Sequence, residues 1–267
     1  MGEVIADGPE PWLVTGRRYQ AAPDRWLFSP GNQLRVLVEH GRSIVYDAPL
    51  AMADSTIAEC ILQPALAALF HQRGLLALHA SAVETPAGAV LLLGRRGAGK
   101  STIAARLTAW RNPFIGDDVC PIDATHRPIV AGGFVYQKLS REACHGGGYR
   151  YLPADVITGD DRARVHVRVR EHPAGAAPVA HIVLLETVAA GSPRIERLSA
   201  VAATATLVAC TYRRQYLRGL ETASRNLRMC AAVASRIPVA RLRYKAGAVD
   251  VDTIARLVAR YTDARCE

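Results

Sequence analysis

The first third of the chain changes from an alternating pattern of apolar and polar residues to a helical one. Leu34–Asp47 contains two alternating runs on either side of His40-Gly41, a pattern that predicts a β-hairpin. Apolar residues then recur at helical spacing from Asp54, the expected N-cap, to Gln72. Gly74 is expected to close this helix.

After this helix, short apolar strands alternate with helical patterns. The predicted strands and extended segments are Leu75–Glu84, Ala89–Leu93, Asn112–Asp123, Val130–Leu139, Arg164–Arg170, Ala180–Glu186 and Val239–Lys245. The predicted helices are Thr102–Trp110, Ala200–Arg218, Thr222–Ser235 and Val251–Ala264. This order predicts an α/β domain over residues 74–267, with a mixed sheet and flanking helices. Residues 1–73 are predicted to be a small N-terminal β-rich elaboration.

Composition limits the class of protein and its compartment. Half of the 267 residues are hydrophobic and 21% are charged, which is typical of a globular protein with a core. Apolar runs such as Val179–Leu185 are too short to cross a bilayer, and the N-terminus lacks the pattern of a secretory signal. We therefore expect a cytoplasmic protein with no membrane partner. The six cysteines form no CxxC pair, so in that compartment we expect them to be reduced.

The strongly basic charge does not by itself indicate nucleic acid as a partner. The formal net charge is +9, and lysine supplies only three of the 33 basic residues. No basic run carries interleaved aromatic residues, so a solvated arginine-rich surface explains the charge better than a nucleic-acid interface. The scarcity of lysine makes Lys100 and Lys138, which both lie in candidate sites, stand out from the arginines.

Residues 94–101 read GRRGAGKS and match the phosphate-binding pattern GxxxxGK[ST] without exception. The motif follows a predicted strand and precedes a predicted helix, so backbone N–H groups and the helix N-terminus would face a phosphate. A chance glycine-rich turn is the alternative. We expect Lys100 at the β- and γ-phosphates, and Ser101, ahead of Thr102, at Mg²⁺. The residues expected around the nucleotide are Gly94, Arg95, Arg96, Gly97, Ala98, Gly99, Lys100, Ser101 and Thr102.

Two adjacent carboxylates follow the motif at a predicted strand end. Asp117 and Asp118 lie in FIGDDV, where an apolar pair leads into the acidic pair. One carboxylate is expected to hold Mg²⁺ and the other to take a proton from an attacking hydroxyl. The alternative is that the two aspartates only cap a turn. His79, in LHASAV on the preceding strand, is by itself more typical of a satisfied core histidine.

Taken together, these segments resemble a known family. LHASAVE, GAVLLLGRRGAGKST and FIGDDV look like the catalytic domain of HPr kinase/phosphorylase and its relatives, and YQKL, IVLLE and RIPVARLRY resemble later segments of that family. The resemblance implies an HPr-kinase C-terminal-domain-like fold, with ATP and Mg²⁺ as cofactors. It also implies catalytic roles for Lys100, Asp117, Asp118 and His79. Asp118 is placed with Ser101 at the metal, although the division of roles between the two aspartates stays open.

The chain also departs from the usual pattern of that family. Thr102 stands where the family has glutamate after Lys-Ser, and no HPr-kinase regulatory domain is recognisable at the N-terminus. In its length and in its short N-terminal region, which is unlike that of HPr kinases, the chain resembles the lasso-peptide kinases. Those kinases phosphorylate the C-terminal serine side chain of a precursor peptide. This resemblance implies a cytoplasmic kinase acting on a serine hydroxyl of a peptide or protein.

The substrate is expected at Lys138 and at arginines around the predicted HGGGYR loop. These arginines are Arg141, Arg150, Arg162 and Arg164. An HPr-type protein kinase, a small-molecule hydroxyl kinase and a non-catalytic nucleotide-binding regulator stay open as alternatives. Members of the family are often oligomers, so the resemblance also raises a homo-oligomer as an open alternative.

Overall fold

The structure is a computed structural model that describes residues 12–31, 33–110, 112–132, 136–140, 156–158, 164–168, 175–245, 247 and 249–263. The strands are β1 (Val14–Thr15), β2 (Tyr19–Ala22), β3 (Arg25–Gly31), β4 (Leu34–Glu39), β5 (Ser43–Asp47), β6 (Leu76–Leu78), β7 (Ala80–Thr85), β8 (Gly88–Gly94), β9 (Phe114–Asp117), β10 (Cys120–Asp123), β11 (Ile129–Ala131), β12 (Tyr136–Ser140), β13 (Val156–Thr158), β14 (Arg164–Arg168), β15 (Ala176–Thr187), β16 (Arg194–Arg197) and β17 (Val239–Tyr244). The helices are α1 (Asp54–Cys60), α2 (Leu66–Gln72), α3 (Lys100–Ala109), α4 (Ala200–Ala209), α5 (Tyr216–Gly219), α6 (Ala223–Arg236) and α7 (Val251–Asp263).

The chain divides into two compact units. One comprises the described parts of Met1–Ala77 and Thr211–Met229, and the other those of Leu78–Cys210 and Cys230–Glu267. The first unit therefore takes in a segment from late in the chain in addition to the N-terminal region.

The first unit contains an antiparallel sheet with the strand order β1-β2-β3-β4-β5. The hairpin predicted over Leu34–Asp47 is confirmed, because β4 pairs with β5 and both His40 and Gly41 have positive φ in the turn. Trp26 on β3 is fully buried, and its ring centroid lies 5.0 Å from that of Tyr216 in α5. These aromatic rings supply much of the apolar surface that this sheet buries.

The helix predicted over Asp54–Gln72 is interrupted. A π-helical turn separates α1 from α2, and Pro64 lies inside it. Proline has no backbone N–H to donate and its ring clashes with the preceding turn, so a regular α-helix cannot continue through this position. The N-cap is Ala53, which makes no side-chain cap bond, and the expectation for Asp54 was wrong. Gly74 has a φ of 71°, as expected for a glycine that closes a helix.

The second unit is built on a mixed sheet with the strand order β10-β11-β15-β8-β7-β9, in which β17 also pairs with β15 and β16 pairs with β17. β8, β15 and β17 run parallel, so their carboxyl ends share one edge of the sheet. β7 is antiparallel to both β8 and β9. A separate antiparallel sheet has the order β12-β14-β13.

Helices flank the mixed sheet. α3 packs against α7, against β7 and against β8, and α7 also contacts β15. Their shared core includes buried residues from all of these elements: Val83, Leu92, Ile103, Leu107, Val183, Leu185, Ile254 and Val258. The predicted α/β architecture with a mixed sheet and flanking helices is therefore confirmed. Within the described residues, no helix is both long and apolar enough to cross a membrane.

Among the predicted elements whose bounds differ from those observed, two are interrupted by a contact with a distant segment. The strand predicted over Leu75–Glu84 is divided at His79, whose backbone N–H donates to the carbonyl of Cys210 instead of joining a strand ladder. The helix predicted over Ala200–Arg218 ends at Ala209, and α5 follows only after a turn. Both breaks occur where a backbone group bonds a segment distant in sequence, which an apolar pattern does not reveal.

Candidate functional site

Three chain segments meet at the carboxyl end of β8. Because β7 is antiparallel to β8 and β9, its first residues lie beside the last residues of both strands. Ser81 on β7 pairs with Asp117 at the end of β9, and His79 immediately precedes β7. Gly94 ends β8 and begins the glycine-rich loop. The register of these strands therefore brings the three motifs recognised in the sequence to one place.

The loop between β8 and α3 adopts backbone conformations that favour glycine. Gly94, Gly97 and Gly99 have φ of 147°, 85° and 82°, and Gly99 is the N-cap of α3. The Ala98 carbonyl accepts a hydrogen bond of 2.5 Å from the hydroxyl of Tyr244, at the end of β17. The loop thus leads directly into the N-terminus of α3, where the helix dipole and unpaired N–H groups favour an anion.

Lys100 and His79 form a hydrogen-bonded pair. Lys100 is 7% exposed, and its Nζ donates to the carbonyls of Gly94 at 2.9 Å and Arg95 at 3.4 Å. The same Nζ lies 3.0 Å from Nε2 of His79. An ammonium group has no acceptor, so Nε2 must accept this bond and the proton of neutral His79 is on Nδ1. Nδ1 lies 3.0 Å from the backbone oxygen and 3.3 Å from Oδ1 of Asp118.

The two adjacent aspartates occupy different environments. Asp117 is 8% exposed, and its Oδ1 accepts hydrogen bonds from Ser81 Oγ at 2.5 Å and Ser101 Oγ at 3.0 Å. Asp118 has a φ of 72° and a side chain that is 31% exposed beside His79. The left-handed conformation turns Asp118 out of the strand, so one carboxylate is held against the loop and its neighbour is open to an incoming group.

The residues present fit a nucleotide phosphate and a magnesium ion. The loop offers a cation, Lys100, and a helix N-terminus to an anion. Ser101 and Asp117 offer oxygen donors, already in hydrogen-bond contact with each other. Mg²⁺ prefers such ligands, and it is usually bound through one or two carboxylates together with substrate phosphates.

Two residues near the loop were not predicted from the sequence. Ser81 is fully buried, and it lies two positions after His79, a spacing that places both on one side of an extended chain. Gln137 on β12 is also fully buried, and its Nε2 donates to the Ser101 carbonyl at 2.7 Å. A hydroxyl in an otherwise apolar predicted strand was a signal for Ser81, whereas the sequence drew attention to Lys138 and gave no signal for its neighbour Gln137.

Burial also perturbs a cysteine beside the acidic pair. Cys120 is 1% exposed and its Sγ lies 3.5 Å from the carbonyl oxygen of Ala80. Burial raises the pKa of the Cys120 thiol far above its ordinary value, and the negative charges of Asp117 and Asp118 raise it further. The thiol is therefore neutral and serves as packing under the site.

The side chains predicted to hold the substrate lie outside the described part of the structure. Lys138 lies in β12 and Arg164 in β14, but their side chains are outside the described structure. Arg141, Arg150 and Arg162 lie outside the described residues altogether. Their assignment to the substrate stays a prediction.

Comparisons with known proteins give similarity to solved structures only. No protein-family model matches the chain, and no curated protein matches it. The chain is similar to the solved structure of the Hpr(Ser) kinase/phosphatase from Coxiella burnetii, with 12% identity over 72% of this chain and 99% of that chain. The TM-score is 0.38. A similarity of this size carries no weight for fold family or activity.

Proposed function

We propose that the chain is an ATP- and Mg²⁺-dependent kinase that transfers the γ-phosphate to a serine hydroxyl of a peptide or protein. The observation that carries this proposal is the connected cluster at the end of β8. Lys100, His79 and Asp118 form one hydrogen-bonded chain, and Ser101 with Asp117 forms another. A module that only binds nucleotide needs the loop but has no use for an open carboxylate held by a histidine beside it.

The contacts favour a division of labour between the aspartates. Asp117 shares a hydrogen bond with Ser101, the loop hydroxyl expected at the metal, so Asp117 is the better candidate for the metal partner. Asp118 is one-third exposed and is in contact with His79, so it is the better candidate for the base. The sequence had placed Asp118 with the metal, and the geometry supports the opposite assignment. His79 would orient the Asp118 carboxylate through its Nδ1 proton.

The proposed reaction is an in-line displacement. The loop N–H groups and Lys100 hold the phosphates, and the acceptor oxygen forms a bond to the γ-phosphorus while the bond from that phosphorus to the bridging oxygen breaks. The electron pair of the broken bond stays on ADP, and the proton of the acceptor hydroxyl goes to Asp118. Bound Mg²⁺ would supply neutralisation of the charge on the phosphate oxygens, with Ser101 and Asp117 as its holders.

The proposed acceptor follows from the family resemblance of the sequence. Among peptide and protein acceptors, we propose the C-terminal serine of a lasso-peptide precursor, with Lys138, Arg141 and Arg150 as the groups that would bind it. The chain would work in the cytoplasm. HPr itself and small-molecule hydroxyl compounds are the competing acceptors, and the test below separates them.

The test combines phosphoryl transfer with nucleotide binding. The purified chain is incubated with labelled ATP, Mg²⁺ and each acceptor class, and products are identified by mass spectrometry. We expect transfer to a peptide ending in serine, and we expect Asp118→Asn to lower the rate roughly 10²–10⁴-fold while nucleotide still binds. Asp123→Asn, which changes a carboxylate that is exposed and bonded to Thr125, is the matched control.

The outcomes separate the alternatives. Transfer only to HPr or only to a small hydroxyl compound would reassign the substrate. Nucleotide binding without transfer to any acceptor would favour the regulator. Undiminished transfer by Asp118→Asn would remove the base assignment, and an absence of nucleotide binding by the unaltered chain would overturn the proposal as a whole.

A further inference from the structure

Ser81 is a buried hydroxyl in the middle of the site. It lies on β7 between Ala80 and Ala82, is paired with Leu92 on one side and Asp117 on the other, and has no exposed surface. Burying a hydroxyl is unfavourable unless it is hydrogen-bonded, so a fully buried serine needs a hydrogen-bond partner. The hydroxyl is therefore retained for its contact, which is the 2.5 Å bond to Oδ1 of Asp117.

Ser81 and Ser101 donate to the same oxygen atom. Oδ1 of Asp117 accepts Ser81 Oγ at 2.5 Å and Ser101 Oγ at 3.0 Å, and a carboxylate oxygen has the capacity for both bonds. Ser101 belongs to the loop and its hydroxyl is expected at the metal. Ser81 belongs to the central sheet and has no other role in the site. Of these two donors, Ser81 is the one that lies on a strand of the mixed sheet.

We infer that Ser81 is a positioning residue, which fixes the Asp117 carboxylate so that Ser101 and Asp117 together hold the metal–nucleotide complex. This inference rests on the proposed function. The torsion that rotates a carboxylate about its last bond is broad, so each donor to Asp117 narrows the orientation of its oxygen atoms, and the sheet residue Ser81 contributes such a donor. Removing partners of this kind from a metal site typically lowers metal affinity roughly 10- to 100-fold.

The test separates metal-dependent from metal-free binding of nucleotide. The affinity of a fluorescent ATP analogue is measured with EDTA and through a Mg²⁺ titration, for the unaltered chain, Ser81→Ala, Ser81→Cys and the control Thr85→Val. Thr85 lies on the same strand and its hydroxyl donates to the Gly88 carbonyl, away from the site. The electron paramagnetic resonance signal of Mn²⁺ with a non-hydrolysable ATP analogue gives a spectroscopic measure of the same metal site.

We expect Ser81→Ala to raise the Mg²⁺ concentration for half-saturation roughly 10- to 100-fold and to weaken Mn²⁺ binding in parallel. Metal-free affinity should stay within about twofold, because the loop and Lys100 are unchanged. Cysteine is a weak donor of nearly the same shape, so Ser81→Cys should fall between alanine and serine. Thr85→Val should match the unaltered chain.

Two results would overturn the inference about Ser81 and leave the proposed function standing. One is a Ser81→Ala variant with an unaltered melting temperature and an unaltered Mg²⁺ half-saturation. The other is an equal loss of metal-free and metal-dependent affinity in the Ala and Cys variants, which would mean a general packing defect. If the unaltered chain itself shows no effect of Mg²⁺ on nucleotide binding, the proposed function fails, and the inference about Ser81 fails with it.

Discussion

Replacing Gly94 by alanine would place a methyl group against the backbone of a neighbouring strand. A Cβ at this position would lie 2.7 Å from the carbonyl oxygen of Leu185 on β15 and 3.1 Å from the Cβ of Ala98. The φ of 147° is also one that an L side chain rarely adopts. Gly97 offers a matched comparison in the same loop, because its φ is 85° but a Cβ there would meet nothing within 4 Å.

The two substitutions therefore share backbone strain and differ in steric overlap. Strain in a sparsely populated backbone region costs roughly 1–3 kcal/mol, which applies to both variants. Overlap with a backbone atom, which no rotamer change relieves, adds roughly 1–3 kcal/mol for Gly94→Ala only. We expect destabilisation of about 4 kcal/mol for Gly94→Ala and about 2 kcal/mol for Gly97→Ala. In a unit of this size, these values correspond to decreases in melting temperature of about 8–16 °C and about 4–8 °C.

The assay is thermal unfolding followed by circular dichroism, without nucleotide, for both variants and the unaltered chain. The prediction concerns the difference between the two variants, since strain common to both cancels. If they melt within about 2 °C of each other, the close approach of β8 and β15 at Gly94 does not constrain the loop, and the steric argument is wrong.

Three further predictions concern groups outside the reacting cluster. His71 is buried, and its Nε2 donates to the Tyr212 carbonyl at 2.8 Å. Burial lowers the pKa of His71, so the unfolded chain binds a proton at this residue more readily than the folded chain does. The free energy of unfolding should fall as pH drops below about 6.5, by at most about 1.4 kcal/mol per pH unit, and urea unfolding of His71→Gln should lose this dependence. Arg106 on α3 and Asp252 on α7 form a partly exposed ion pair, and a double-mutant cycle should give a coupling of about 0.5–1 kcal/mol that decreases in high salt. Because burial raises the pKa of Cys120, iodoacetamide at about pH 8 should leave this thiol unmodified in the native chain and alkylate it after unfolding, as peptide mass spectrometry would show.

Local signals predicted several elements well. The alternating pattern of Leu34–Asp47 correctly indicated a hairpin, and the apolar run Ala89–Leu93 lies within β8. The helix after the loop was predicted to begin at Thr102 but begins at Lys100, since Gly99 supplies the left-handed N-cap. Strand alternation and glycine positions are properties of short segments, so the sequence carries this information directly.

Breaks caused by distant partners were not predictable in the same way. His79 was expected within a strand, yet its backbone N–H bonds the Cys210 carbonyl and the strand divides there. The hydroxyl of Ser81 stood out in an apolar strand, but that segment gave no indication of its partner Asp117. The contacts of both residues are made with segments distant in sequence, and the apolar pattern of one segment does not show which other segment will lie beside it.

By itself, the sequence determined which residue types are available for the proposed chemistry, and in which order they occur. A glycine-rich loop with Lys100 and Ser101, a histidine before it and an acidic pair after it are all visible in the order of residues. Only the tertiary structure decided how these groups are paired. Asp117 meets Ser81 across 36 residues of chain, and it does so because β9 joins β7 in one particular register. A shift of one residue in that pairing would turn Asp117 to the opposite face of the sheet and separate it from Ser101. The roles proposed for the two aspartates therefore depend on strand pairing, which is set by contacts between distant segments and not by local pattern.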